Sequence, residues 1–153
     1  MPSFETLDAI ADAYNPLLAC ISLLVIAARL FRAQWKRTGL GVAGFGGVAA
    51  VAYGLMFLDR YLNLWPALGL DYSTHTATAL GLVILLSFEA RKLVPLWVGS
   101  LACYVLLMLY QRYHTVTDIM TTAIVVGIPL GWALAFLHRP ERAETKAAIQ
   151  GTE

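Results

Sequence analysis

Apolar residues run through this chain in long blocks, and polar residues gather in the breaks between them. Near the start, Phe4, Leu7, Ile10, Ala11 and Tyr14 recur at three- and four-residue steps with Glu5, Asp8 and Asp12 between them, the pattern of an amphipathic helix. This segment, residues 1–15, either lies on a membrane surface as a short helix of its own or extends the first span. Residues 16–31 read PLLACISLLVIAARLF and give way to Arg32, Lys36 and Arg37. Pro16 suits a helix start, where its missing N–H costs nothing. A second block, residues 39–58, carries no charge and is dense in glycine. Glycine lets helices approach closely in a bilayer, so this span is expected at the centre of a bundle, and it suits internal packing or a dimer contact equally.

Residues 59–72 form a connector whose Tyr61, Asn63, Trp65, Pro66 and Tyr72 fit a turn at a membrane interface. The third block starts near His75 and ends near residue 88, short for a membrane helix unless its far end snorkels. Pro95 opens a fourth block ending near Tyr110, and residues 115–137 form a fifth, with Pro129 as a kink. The pattern predicts an all-α integral membrane bundle of about five transmembrane helices with a short N-terminal amphipathic helix. It is a single membrane domain over residues 1–153: a surface segment (1–15), the bundle (16–137) and a polar, partly disordered cytoplasmic tail (138–153).

Composition agrees: 59% of the 153 residues are hydrophobic and 14% are charged. That balance excludes a soluble domain of this size, whose surface would be too large for so little charge. Net charge is +1, with no basic block interleaved with aromatics, so nucleic acid is excluded as a partner. Cys20 and Cys103 sit in apolar runs as small packing groups, and neither a disulfide framework nor a Cys/His cluster of zinc spacing is present, so no metal is expected.

The distribution of charge says more than its sum. Five spans put Arg32, Lys36, Arg37, Arg91, Lys92, Arg139, Arg142 and Lys146 on one side, with Arg29 near it; by the positive-inside rule that side is cytoplasmic. Arg60 and Arg112 remain on the other side with His75 and His114. They are either interfacial anchors or an anion grip, since guanidinium groups hold phosphate oxygens through paired donors.

Two polar stretches carry candidate chemistry: Asp71-Tyr72-Ser73-Thr74-His75-Thr76 and Arg112-Tyr113-His114-Thr115-Val116-Thr117-Asp118. On a helix, His114 and Asp118 would share one face, and a carboxylate on one ring nitrogen leaves the other free as a nucleophile or base. Alternatively, His114 and Asp118 are capping groups at a helix start, with Thr117 as a further cap. A second histidine at the start of another helix on the same side adds weight, because helix N-termini favour an anion between them.

Ser73-Thr74-His75-Thr76 resembles the Pro-Ser-Gly-His-Thr motif of the type 2 phosphatidic acid phosphatase superfamily, and His114-x-x-x-Asp118 resembles the end of its Ser-Arg-x5-His-x3-Asp motif. The resemblance covers residues 39–137. It implies that His114 attacks phosphorus to give a phosphohistidine, that Asp118 orients it, and that His75 protonates the leaving alkoxide. Ser73 and Thr74 would donate to phosphate oxygens, and no cofactor is required. The family's Lys-x6-Arg-Pro motif is absent before His75, and Leu107 and Met108 occupy the Ser and Arg positions of the third motif. Arg112 and Arg60 are therefore the expected replacements as phosphate-binding cations.

These features imply a lipid phosphatase acting on a lipid phosphate or pyrophosphate at the outer face. In bacterial terms that is an inner-membrane protein with N-terminus and site periplasmic and C-terminus cytoplasmic. The incomplete basic set also resembles the sphingomyelin and inositol phosphorylceramide synthases, which would make the chain a head-group phosphotransferase. A third reading is a catalytically silent module binding a lipid phosphate or a partner protein.

Overall fold

The computed structural model describes residues 3–139, and the polar tail expected beyond them lies outside the described residues. Five helices form an all-α bundle: α1 (Phe4–Phe31), α2 (Trp35–Leu62), α3 (Thr74–Glu89), α4 (Val94–Tyr110) and α5 (Val116–Leu137). Single 3₁₀ turns, Pro66–Leu68 and Arg91–Leu93, punctuate the connectors before α3 and α4. Four segments are long and apolar enough to cross a membrane: α1, α2, α4 together with the turn before it (Arg91–Tyr110), and α5; α3 is shorter. Leu24, Phe57, Leu106, Ile128 and Trp132 project outward. Such an apolar exterior fits lipid and not water.

The helix ends follow local chemistry. Ser3 caps α1 by accepting from the Thr6 N–H, and Ser73 caps α3 from the Thr76 N–H. α1 closes on Ala33 in the left-handed region (φ +54°), with the Gln34 N–H bonded to the Arg29 carbonyl at 3.0 Å. The amphipathic segment forms the first turns of α1, continuous with the span, so Pro16 stands inside that helix and not at its start. Its missing N–H leaves the Asp12 carbonyl without an intrahelical donor.

Pairings along the helices fix the topology. Asn15 Nδ2 donates to the His75 carbonyl (3.2 Å) and Arg29 Nη2 to the Glu89 carbonyl (2.9 Å), so α1 and α3 run parallel. Ser73 N–H meets Thr122 Oγ1 (3.2 Å) while His138 meets Glu89, so α5 runs the same way. The Tyr72 hydroxyl donates to the Ala52 carbonyl, and Tyr14 bonds Ser100 and stacks on Tyr104; because short connectors link each helix to the next, α2 and α4 run antiparallel to the other three. Helices thus alternate in direction, and the bundle has two polar ends.

The central helix is α3, not the glycine-rich α2. It packs against all four others, and Ala79, Gly81, Leu82, Val83, Leu85 and Leu86 are buried on every face. Sixteen residues make about 24 Å of helix, less than the ~30 Å hydrocarbon layer. Enclosure by its neighbours is why a short segment suffices. The α2 glycines work along one stripe only: an added Cβ at Gly44 would lie 2.6 Å from Leu85 Cδ1 and one at Gly41 2.8 Å from Ile26 Cγ1, whereas Gly39, Gly46, Gly47 and Gly54 face open space. Contact with the neighbouring helices α1 and α3, more than glycine density, decides which of these glycines are packed.

Candidate functional site

The segment before α3 is held by buried polar contacts. Asp59, at the end of α2, accepts from the Trp65 N–H (2.8 Å), and Trp65 meets Tyr72 edge to face. Burial, reinforced by the Asp59 carboxylate, pushes the Tyr72 phenol up to about 12. The phenol therefore stays a neutral donor to the Ala52 carbonyl. Three bonds then tie this segment to α5: Trp65 Nε1 donates to Thr121 Oγ1 at 3.2 Å, the Asp71 N–H to Asp118 Oδ1 at 2.8 Å, and the Ser73 N–H to Thr122 Oγ1.

The turn between α4 and α5 carries His114. The chain leaves α4 with Tyr113 N–H on the Met108 carbonyl and Arg112 N–H on the Leu109 carbonyl, both 3.1 Å. This pattern places one residue in the left-handed region, where glycine is the usual occupant. Here it is Arg112, with φ +57°. A bulky side chain at that angle costs about 1–2 kcal/mol, and retention of strain at a polar cleft is a pointer to function.

His114 Nδ1 is buried and lies 3.4 Å from Asp71 Oδ2; the imidazole is 12% exposed and the Asp71 carboxylate 72%. Both residues line an open cleft of about 610 Å³ together with Arg112, Tyr113, Thr115 and Asp118. With Nδ1 turned to a carboxylate, Nε2 is the nitrogen left for a substrate. The contact exceeds the usual 2.7–3.2 Å of a formed hydrogen bond, and His114 Nδ1 is buried with no hydrogen-bond partner among the described residues.

Asp118 makes hydrogen bonds other than the one its spacing suggests. His114 precedes α5 instead of riding on it, because Thr115 is the N-cap. Asp118 Oδ2 accepts from the Thr115 N–H (2.9 Å) and hydroxyl (2.6 Å), completing a capping box, while Oδ1 accepts from the Asp71 N–H. Asp118 thereby positions Asp71, which takes the place beside His114. Ser73 is likewise committed: it is fully buried, with its hydroxyl on the Thr76 N–H and Thr76 Oγ1. Thr74 is half-buried in the first turn of α3.

His75 is exposed and does not line the His114 cleft. It borders a separate small cavity with Asp12, Tyr104 and Tyr113, and its ring lies nearly parallel to that of Tyr113 with centroids 6.5 Å apart. Tyr113 lines both cavities and so forms their partition. Its hydroxyl donates to Asp8 Oδ1 (2.8 Å), alongside Gln111 Nε2 (2.6 Å). That bond to Asp8, with some burial and the nearby charges of Asp8 and Asp12, raises the phenol's pKa. Arg60 is exposed on the last turn of α2 and is not part of the cleft lining, so Arg112 is the cleft's guanidinium.

Asp71 and Tyr113 are the site residues that sequence reasoning passed over. Both lay inside the polar stretches, but spacing favoured Asp118, and an aromatic next to His114 gave no signal of its own. The Thr-x-x-Asp capping-box spacing starting at Thr115 was the available clue that Asp118 was already engaged. Compared with protein-family models, with curated proteins and with solved structures, the chain matches none.

Proposed function

We propose that this membrane bundle is a lipid phosphohydrolase acting on a lipid phosphate or pyrophosphate whose head group enters the His114 cleft. The observation that carries the reading is the seating of His114 against Asp71 in a cleft that also holds Arg112, with the His75 segment beside it. In this mechanism, Nε2 of His114 attacks phosphorus, the bond to the lipid oxygen breaks, and a phosphohistidine forms. Asp71 orients the ring and stabilises its positive charge, and Arg112 neutralises phosphate oxygens. His75 gives its proton to the leaving alkoxide once the Tyr113 ring swings off its latch on Asp8. Water then attacks the phosphohistidine and releases phosphate. Ser73 acts as the buried cap of α3 rather than as a phosphate ligand, and Arg60 as an interfacial cation.

The positive-inside rule puts the opposite, basic end in the cytoplasm and this site outside it, on the periplasmic face in a bacterial inner membrane. Phosphate release from phosphatidic acid by the purified protein in nanodiscs tests the reading. Turnover should fall by roughly 10³-fold or more in His114→Ala. Turnover unchanged in that variant removes His114 as nucleophile, and absence of turnover in the parent favours a silent binding module.

One observation favours a second reading. Among the described residues, Glu5, Asp8, Asp12, Asp59, Asp71 and Asp118 all lie at this end, against Arg60 and Arg112. A dianionic monoester is repelled there more than a singly charged phosphodiester. A head-group phosphotransferase, passing the phosphohistidine's group to a lipid alcohol, suits that balance. Mass spectrometry of products formed with and without a lipid alcohol separates the two: head-group transfer to the acceptor supports the transferase, and free phosphate alone supports the hydrolase.

A further inference from the structure

At the opposite end of the bundle, the last turn of α1, the first turn of α2, the α3–α4 connector and the residue after the α5 C-cap converge around a cavity of about 980 Å³. Six cations line it: Arg29, Lys36, Arg37, Arg91, Lys92 and Arg139. The cavity's single carboxylate, Glu89, is already used. Its side chain is 2% exposed, paired with Arg29 and 3.1 Å from His138 Nε2. His138 Nδ1 faces the Leu134 carbonyl at 2.9 Å, so each ring nitrogen lies beside an oxygen. Among the described residues, Arg37, Arg91, Lys92 and Arg139 have no ion pair.

Positive residues at a cytoplasmic end are ordinary as topology signals, but topology needs only that they be on one side. Here they converge from four parts of the chain on one hollow whose acid is neutralised from within. Like charges held this close repel, and among the described residues no carboxylate meets Arg37, Arg91, Lys92 or Arg139. The lining also includes Leu40, Phe88, Leu93 and Leu137, an apolar wall beneath the cationic rim, and exposed Trp35 stands next to Lys36 as an interfacial aromatic. A basic recess backed by apolar side chains at the end of membrane helices fits a phosphate carried on acyl chains better than a free ion.

We propose that this cavity binds the phosphate head group of an anionic phospholipid from the leaflet at the basic end. The site is separate from the His114 cleft and does not depend on catalysis there. Arg91, Lys92, Arg37 and Arg139 supply charge-assisted donors, and the acyl chains lie along the outward apolar faces of α2 and α5. Arg32 is a natural control, since it is exposed at the same end yet does not line the cavity.

The test is native mass spectrometry of the full chain, released from detergent with phosphatidylglycerol, with phosphatidylcholine, or with inorganic phosphate. Phosphatidylglycerol should remain bound, and neither phosphatidylcholine nor inorganic phosphate should displace it. Affinity should fall about fivefold in Arg91→Ala, and on the order of 100-fold when Arg37, Arg91 and Lys92 are all changed to Ala. Arg32→Ala should leave it unchanged. Equal losses in Arg32→Ala and Arg91→Ala would reduce the effect to surface charge and overturn the site. Retention of phosphatidylglycerol by the triple variant, or its displacement by inorganic phosphate, would overturn it as well. Because Arg91 and Lys92 are exposed, their removal should leave the melting temperature in phosphatidylcholine unchanged, and a folding loss there would contradict the assignment of these side chains to a ligand.

Discussion

The two ends of the bundle solve the burial of carboxylates in opposite ways. At the histidine end, Asp118 and Asp59 take their hydrogen bonds from backbone N–H groups and a threonine hydroxyl, so each is bound to local chain geometry. At the basic end, Glu89 is met by side chains from other helices, Arg29 of α1 and His138 after α5. Backbone donors stabilise a carboxylate without adding charge, and they leave the histidine end rich in acid with few cations. The Arg29 guanidinium neutralises Glu89, and among the described residues the surrounding cations are left in excess. The first end is therefore equipped to position a histidine, and the second to hold an anion.

The largest effect should follow from breaking the side-chain solution. Glu89→Ala leaves Arg29 facing the bundle without its partner, and should lower stability by about 3–5 kcal/mol. Thermal unfolding in detergent measures this, and a shift no larger than that of an exposed substitution would show that the pair does not hold the helices. Catalysis per folded molecule should be unaffected, because the cluster lies at the far end.

Asp71→Asn probes the histidine end itself. It keeps the shape and the backbone bond to Asp118 but removes the charge beside His114, so kcat should fall by roughly 10²-fold or more with little change in folding. A variant with full turnover would return the orienting role to another group. Asp118→Asn should behave differently, losing about 1–2 kcal/mol of stability with the capping box and lowering turnover through misplacement of Asp71. Comparing the two variants by melting temperature and kcat distinguishes an orienting carboxylate from a positioning one.

The smallest effect carries opposite signs. Arg112→Gly relieves a left-handed residue and should raise stability by about 1 kcal/mol, while removing the cleft's guanidinium and lowering turnover. A variant both more stable and fully active would show that Arg112 is a turn residue only.

Much of the fold was legible because helix signals are local. The third block starting near His75, Pro95 opening the fourth and the fifth block from residue 115 placed three helix starts within a residue or two. The centrality of α3 was not legible, since a short apolar block says nothing of how many neighbours enclose it, and glycine density pointed to α2. His75 and His114 could be assigned to one end, but their separation by Tyr113 depends on a side chain latched to Asp8, more than a hundred residues away in sequence. The Arg29–Glu89–His138 cluster was equally hidden. Its members are 60 and 49 residues apart, and each alone reads as an interfacial charge.

The central claim concerns the nucleophile, and a covalent adduct tests it most directly. Protein mixed with phosphate-labelled phosphatidic acid should be quenched within a turnover in base, where a phosphohistidine survives, and digested for mass spectrometry. The account predicts label on His114, lost in His114→Ala and unstable to acid. Label on another residue, or none in a preparation that turns over, would contradict it.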